Sequence, residues 1–393
     1  MEMAERWRPA WADVDLDAVV HNAALLGRLV APAELCAVVK ADAYGHGSLA
    51  VARAAVAGGA SWLAVALVEE GVALREAGLE VPILLLSEPP ADGMAEAIAR
   101  GLSPTVYTEE GIAMLDRLAR EGGHPPVGVH LKVDTGMHRV GAAPAEIPAL
   151  ARQIDAAPHL VLDALWTHFA VADGARSSDR EFTNAQVARF DETLAALVAE
   201  GLGPRLEHLA NTAGAIATPT ARRHMVRCGL GLYGLAPTPA LEAAIGELTG
   251  GDGLRPALSF RTQVTFVREL DASERVSYGL RRPLPEASRV AIAPVGYADG
   301  VPRRLFDVGG HVLINGVRRL LAGSVTMDQI IIDCGPSDTS DVKVGDEVVL
   351  LGRQGDDEIG AREWAEHFDT IHYEILCDIG PRVPRRHTGT LPS

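Results

Sequence analysis

Cysteine is scarce in this chain. Four cysteines occur in 393 residues, Cys36, Cys228, Cys334 and Cys377, and no two are spaced as a CxxC metal or redox pair. Cys36 and Cys228 lie in apolar runs and read as buried thiols. Long apolar runs are missing too: none approaches the roughly 20 residues of a membrane span. Residues 1–11 are charged and lack an apolar stretch, so no secretory leader is expected. Positive charge is in deficit, with 36 Lys and Arg against 52 Asp and Glu, a formal net charge of -16. That balance argues against nucleic acid, which needs a basic face, and against an anionic membrane surface. The acidity itself reads as a solvated surface. A soluble cytoplasmic protein is expected, with no nucleic-acid, membrane or metal partner.

What is present is enough apolar sequence for a large core: 48% of residues are hydrophobic and 22% charged. The length suggests two or three domains. After a short strand at 11–16 and a helix at 17–29, strand and helix alternate about eight times up to a last short strand at 225–228. Residues 62–67, 82–86, 103–107, 128–133, 162–167 and 206–209 read as strands, with helices near 48–57, 91–100, 109–120, 145–154 and 181–200. This is the pattern and size of a (β/α)8 barrel, although a doubly wound sheet shows the same alternation. Residues 236–256, rich in Pro, Gly and Thr, read as a domain boundary. Beyond them the pattern is mainly β: a long alternating strand at 257–270, an Asn315-Gly316 hairpin, and short strands at 326–333, 347–351 and 371–377, with one helix at 361–367. The expected fold is α/β, an N-terminal (β/α)8 TIM-type barrel over 1–245 followed by a mainly β domain over 246–393. The strand at 11–16 extends toward the β domain.

The chemistry concentrates at strand ends. Residues 35–39, Leu-Cys-Ala-Val-Val, run directly into Lys40, followed by Ala-Asp-Ala-Tyr44-Gly-His-Gly. A continuous apolar run suits a strand buried on both faces, and its carboxyl end is where α/β enzymes place their chemistry. Apolar surroundings favour the free amine, the form that makes Schiff bases. Read alone, such a lysine is equally able to snorkel to solvent. Lys132 ends a second apolar run, with Arg139 seven residues on; a guanidinium there suits a carboxylate or phenolate, or a surface ion pair. His168 ends another strand. Asn211-Thr212 opens a short helical stretch, and Arg227-Cys-Gly229-Leu230-Gly-Leu-Tyr233-Gly follows the last strand; both suit a phosphate cup. Tyr278, in Val-Ser-Tyr-Gly, reads on its own as a strand aromatic.

These stretches resemble motifs of the alanine racemase family, in order and from about residue 11 to residue 385. Residues 38–47 resemble "VVKADAYGHG", 132–141 "KVDTGMxRxG", 167–169 "THF", 208–212 "HxANS" and 226–234 "VRxGxxLYG". Residues 277–279 match "SYG" and 294–300 "PVGYADG", and 323–329 resemble "GRVCMDQ". The resemblance implies the cofactor pyridoxal 5'-phosphate, held by Lys40 with Tyr44, His168, Asn211, Thr212, Arg227, Gly229, Leu230 and Tyr233. It implies that Lys40 and Tyr278 are the two catalytic bases, Tyr278 coming from the partner of a homodimer with shared active sites. Arg139, Met327 and Asp328 are then expected at the substrate, the last two largely through backbone N–H groups. Lys132 is expected to be carbamylated, its negative charge orienting Arg139. Arg227 would face the pyridine nitrogen, where a fixed cation disfavours ring protonation and so fits racemisation without transamination. The implied activity is L-alanine/D-alanine interconversion, supplying D-alanine as a peptidoglycan precursor.

Thr212 replaces the serine of "HxANS" but keeps its hydroxyl; three other departures from the family pattern matter more. Ser324 and Thr326 stand where arginine and cysteine are common, and Pro381 replaces a tyrosine of "SYRVPR". The last departure leaves open a broader serine/alanine racemase. A non-catalytic pyridoxal-phosphate-binding protein is a further alternative, but it would need neither the β domain nor Tyr278.

Overall fold

The computed structural model describes residues 7–390. The chain divides into two compact units. One comprises Leu16–Ala43 and Gly47–Pro256 together with Thr390; the other comprises residues 7–15, Tyr44–His46 and Ala257–Gly389.

The first unit is a closed parallel barrel. β1 (Ala10–Asp15) lies outside it, and its strands are β2 (Glu34–Val38), β3 (Trp62–Val65), β4 (Ile83–Leu85), β5 (Thr105–Val106), β6 (Val127–Lys132), β7 (Leu160–Trp166), β8 (Leu206–His208) and β9 (Met225–Cys228). They form two runs, β4-β3-β2-β9 and β5-β6-β7-β8. Parallel bridges Leu84–Ser103 and Asn211–Arg227 join the runs into a ring. The apolar strand sequences follow from burial on both faces: Leu63, Ala64, Val65, Leu84, Leu131 and Leu165 are inaccessible or nearly so.

The second unit holds a ten-stranded sheet that includes β1. Its other strands are β10 (Leu258–Gln263), β11 (Phe266–Leu270), β12 (Ser288–Ala293), β13 (His311–Ile314), β14 (Val317–Leu321), β15 (Ile330–Pro336), β16 (Glu347–Gln354), β17 (Asp357–Ile359) and β18 (Arg385–Thr388). The order is β11-β12-β15-β14-β13-β16-β10-β1-β18, with β17 on β16; only β1–β18 is parallel. Asn315 and Gly316, at φ 53° and 74°, close the β13–β14 hairpin as the Asn-Gly pair requires.

Three sequence expectations are corrected. Residues 257–270 form two strands, because Val264 and Thr265 pair with different partners, Asp346 and Ile292. Residues 371–377 are not a strand but a helix, His372–Cys377; His372, Ile375 and Leu376 bury one helical face. The apparent linker at 236–256 contains the helix Pro239–Leu248, capped by Thr238 with Pro239 at its first position. Its Leu241 and Ile245 pack with Leu25, Ala213 and Ile216. Among the described residues no helix is long and apolar enough to cross a membrane.

Candidate active site

Lys40 follows the buried strand β2, whose Cys36 pairs with Trp62 on one side and Arg227 on the other. The chain then does something L-residues avoid. Ala41, Asp42, Ala43 and Tyr44 all have φ between 50° and 54°, and Gly45 has 79°, so residues 40–45 make a left-handed helical turn. Such a conformation costs about 1–2 kcal/mol per non-glycine residue and persists only where its surroundings enforce it. Glu70 is one enforcer: its carboxylate accepts from the N–H groups of Ala41 (2.6 Å), Ala66 (2.8 Å) and Leu67 (3.1 Å). Asp42 is another, accepting from Ser48 N–H at 2.7 Å. Glu70 escaped the sequence reading; its only signal is an acid at the third position of the helix Val68–Glu76.

Four neighbouring strand ends build a cationic, largely buried floor. Arg227 on β9 is 2% exposed. Its Nη1 donates to the His208 carbonyl (3.0 Å) and lies 2.8 Å from His208 Nδ1. Its Nη2 donates to the carbonyls of Thr167 (2.8 Å) and Leu209 (3.0 Å), and His168 Nδ1 is 3.3 Å away. No carboxylate of a described residue pairs with it, and the guanidinium stacks 4.7 Å above the Trp166 ring. Burial pulls its pKa down to about 10, so it stays cationic at neutral pH.

Because arginine only donates, His208 Nδ1 must accept, which leaves Nε2–H to donate to His130 Nδ1 at 3.0 Å. His130 Nε2–H then faces Asp163, 3.8 Å away, whose carboxylate is held by Arg205 at 2.7 and 3.0 Å. Burial first, and Arg227 next, push His168 and His208 well below the ordinary histidine pKa. Burial brings His130 to about 4. All three rings are therefore neutral near pH 7. His130 was not singled out from sequence, and His208 only as the first residue of the "HxANS" motif, because a histidine inside an apolar strand resembles any hydrogen-bonded core residue.

Lys132, 4% exposed, ends β6 with its Nζ 4.0 Å from the Trp166 ring centroid and 3.3 Å from the Leu86 carbonyl. Burial lowers its pKa to about 7, aided by Arg227, Arg139 and Lys40 and opposed by Asp134. Lys132, Arg139, Thr167 and His168 line one small pocket. The exposed Arg139 makes no ion pair or hydrogen bond through its side chain to a described residue. Its charge and that of Lys40 reach both Lys132 and His168. Next to Arg227, Asn211 caps the following turn by accepting from Gly214 N–H (2.9 Å), and the Thr212 hydroxyl accepts from Gly229 N–H (3.1 Å). Tyr233, buried beside Leu230, donates its hydroxyl to the Val38 carbonyl at 2.7 Å, tying this loop to the strand that carries Lys40.

The remaining candidates lie in the second unit. Tyr44 is buried there, its ring 5.6 Å from that of Tyr373. Tyr278 is 72% exposed on a turn. Met327 is exposed, and the Asp328 carboxylate accepts from Arg382 Nη2 at 2.6 Å. Arg382 also reaches the buried Asp299, as does Arg8 at 2.8 Å. The 294–300 motif packs directly on this loop: Tyr297 N–H donates to the Thr326 carbonyl (3.0 Å) and Ala298 N–H to that of Met327 (3.1 Å). A Cβ on Gly296 would stand 2.2 Å from the Thr326 carbonyl oxygen, which explains the glycine. Asp328 is thus already neutralised by an arginine.

Comparison with known proteins agrees with these features. The family model for the alanine racemase N-terminal domain matches residues 14–237, and that for the C-terminal domain residues 257–387. An alanine racemase of Symbiobacterium thermophilum is 44% identical over 383 residues, 97% of this chain and 98% of the relative. The crystal structure of alanine racemase from Bacillus anthracis with bound L-Ala-P superposes with a TM-score of 0.89 at 34% identity, covering 99% of this chain and 97% of that one. A histidine racemase from Leuconostoc mesenteroides is similar at 28% identity and a TM-score of 0.86, covering 98% and 99%. Matched over nearly its whole length at this identity, and by both domain models in order, the chain belongs to the alanine racemase family.

Proposed function

We propose that this chain interconverts L-alanine and D-alanine with pyridoxal 5'-phosphate as cofactor. The observation that carries the reading is the buried Arg227, a cation without an acid partner, set beside neutral histidines near the strand-end amine of Lys40. The donor set fits that cofactor. Lys40 would supply a primary amine for its aldehyde, Arg227 would hold its ring nitrogen, and the Asn211–Thr212 and Gly229–Tyr233 loops would hold its phosphate. When bound, the cofactor supplies electron withdrawal that acidifies the substrate Cα–H.

The chain's own residues do the rest. Inversion at carbon by two bases needs them on opposite faces, and Lys40 Nζ and the Tyr278 hydroxyl fill these roles: one takes the Cα proton and the other returns one. Arg139 and the Met327–Asp328 backbone bind the substrate carboxylate, with Arg382 cancelling the repulsion from Asp328. A fixed cation at Arg227 would disfavour protonation of a ring nitrogen placed beside it, and so would favour return of the proton to Cα. A free amine at Lys132 reacts with carbon dioxide to give a carbamate and a proton. The resulting negative charge attracts Arg139, which an ammonium at the same place would repel. Tyr278, exposed on its turn, acts in the site of a second copy, so the active form is a homodimer. The cytoplasm, and supply of D-alanine for peptidoglycan, are the setting this activity implies.

A second reading, a broader serine/alanine racemase, rests on Pro381, which offers neither the hydroxyl nor the bulk of tyrosine. The test offers L-alanine, L-serine and L-lysine separately to protein with pyridoxal phosphate and follows D-product by chiral chromatography. Fast D-alanine with little else supports the main reading. Comparable D-serine supports the second, and no D-product from any overturns both.

A further inference from the structure

The phenol of Tyr278 has no hydrogen-bond partner among the described residues and is largely exposed. Its placement therefore rests on its backbone, and that backbone is an awkward one. Ser277, Gly279 and Leu280 have φ of 64°, 79° and 44°, so three residues of the turn are left-handed, two of them non-glycine. Residues 271–275 and 278–280 around it are exposed; within the turn, Arg275 Nη1 donates to the Leu280 carbonyl at 2.9 Å and Leu280 N–H to the Ser277 carbonyl at 3.4 Å.

Outside the turn itself, the 323–324 segment holds it at Ser277 and Tyr278. The Ser277 hydroxyl donates to the Ser324 carbonyl at 2.6 Å, and the Ser324 hydroxyl donates back to the Tyr278 carbonyl at 3.2 Å. Ser324 is 4% exposed, so water does not compete with this exchange. Gly323 makes the approach possible: a Cβ there would stand 2.7 Å from both the Val276 carbonyl oxygen and the Ser277 Cβ. Thr326 repeats the device one turn on. Its hydroxyl accepts from Gln329 N–H (3.1 Å) and donates to the Gln329 carbonyl (2.9 Å), closing the loop that carries Met327 and Asp328. Ser324 and Thr326 are the two positions that depart from "GRVCMDQ", and at both the departure supplies a short hydroxyl used as a backbone staple.

We infer that Ser324 is a positioning residue for the racemisation, fixing the Tyr278 turn through its reciprocal hydrogen bonds with Ser277 and Tyr278. The inference rests on the proposed role of Tyr278 for its kinetic arm, but not for its structural one.

Ser324→Ala removes the hydroxyl, and Ser324→Thr keeps it. Amide hydrogen exchange over residues 276–280 is measured on both and on the parent protein. Exchange should rise about five- to tenfold in the alanine variant and stay near parental in the threonine variant, the size expected for one neutral hydrogen bond. In the kinetic arm, the alanine variant should lose a similar factor in kcat with little change in KM. The isotope effect with Cα-deuterated alanine should rise for one enantiomer only, since only one face of the carbon faces Tyr278. In a Tyr278→Phe background Ser324→Ala should cost nothing further. Unchanged exchange in Ser324→Ala overturns the staple, whatever the protein's substrate. Raised exchange with an equal isotope effect for both enantiomers overturns the link to Tyr278. Absence of racemase activity in the parent strikes the proposed function and leaves the exchange result to decide the staple.

Discussion

Arg227 Nη1 and His208 Nδ1 stand 2.8 Å apart, and this contact fixes the proton on every ring behind it. A cation that can only donate forces His208 to accept, which orients His208 toward His130 and His130 toward Asp163 and Arg205. The buried guanidinium is thus poised by neutral acceptors alone.

The arrangement makes a pH prediction. His130 has a folded-state pKa of about 4 against an unfolded value of 6.5, so between these values the unfolded chain binds more protons. Stability from this residue is intact above pH 6.5, falls as pH drops through the window, and is fully lost below about 4. Urea unfolding should show lower stability at pH 5 than at pH 7, with His130 contributing to the loss. His168 and His208 add to it in the same direction. His130→Gln should flatten the slope; an unchanged slope would refute the assignment.

Replacing Arg227 by lysine should be far from conservative. A lysine cannot reach His208, Thr167 and Leu209 together through a planar fork, so buried acceptors are left unmet. A stability loss of about 2–4 kcal/mol in urea unfolding is expected, with a larger fall in kcat than in stability. Parental kcat in Arg227→Lys would show that the guanidinium geometry is irrelevant.

Lys132, with a pKa of about 7, has a substantial free-amine fraction at neutral pH. Unmodified, it penalises the fold fully below about pH 7, and the penalty is relieved as pH rises toward 10.5, because a lowered lysine pKa means the folded state sheds its proton first. The proposed carbamylation would remove that penalty at neutral pH. Carbon-13 NMR of protein equilibrated with labelled bicarbonate should show a carbamate signal that Lys132→Arg lacks. The same variant should raise KM for alanine, since nothing then attracts Arg139. A spectrum without the signal would rule the modification out.

Much of this was legible in the sequence, and what was not has physical reasons. The barrel strands read well because burial on both faces writes continuous apolar runs, and Lys40, Lys132 and Arg227 stand out because they interrupt or end those runs with charge. The helix His372–Cys377 was misread because Ile371, Tyr373 and Ile375 alternate and favour strands, while its true signal is the spacing of His372, Ile375 and Leu376. The helix Pro239–Leu248 was hidden by the Pro, Gly and Thr at its ends. The left-handed turn after Lys40 leaves no trace at all, since nothing in Ala-Asp-Ala-Tyr announces positive φ. Glu70 and the His130–His208 pair act through other residues, and single-sequence reading cannot see second partners.

Shared active sites can be tested by mixing. Lys40→Ala and Tyr278→Phe are each expected to be nearly inactive as homodimers. If Tyr278 serves its partner, reassociated mixtures contain heterodimers with one intact site, restoring about a quarter of parental activity for random pairing. No recovery, with heterodimers present, would place both residues in the same chain's site.

The most direct test of the two-base account follows Cα exchange in deuterium oxide for Tyr278→Phe and Lys40→Ala side by side. The account predicts that Tyr278→Phe exchanges the Cα proton of one enantiomer without inverting it and leaves the other enantiomer unexchanged, while Lys40→Ala exchanges neither. Continued inversion at parental rate in Tyr278→Phe, or exchange of both enantiomers by it, would contradict the assignment of one base to each face.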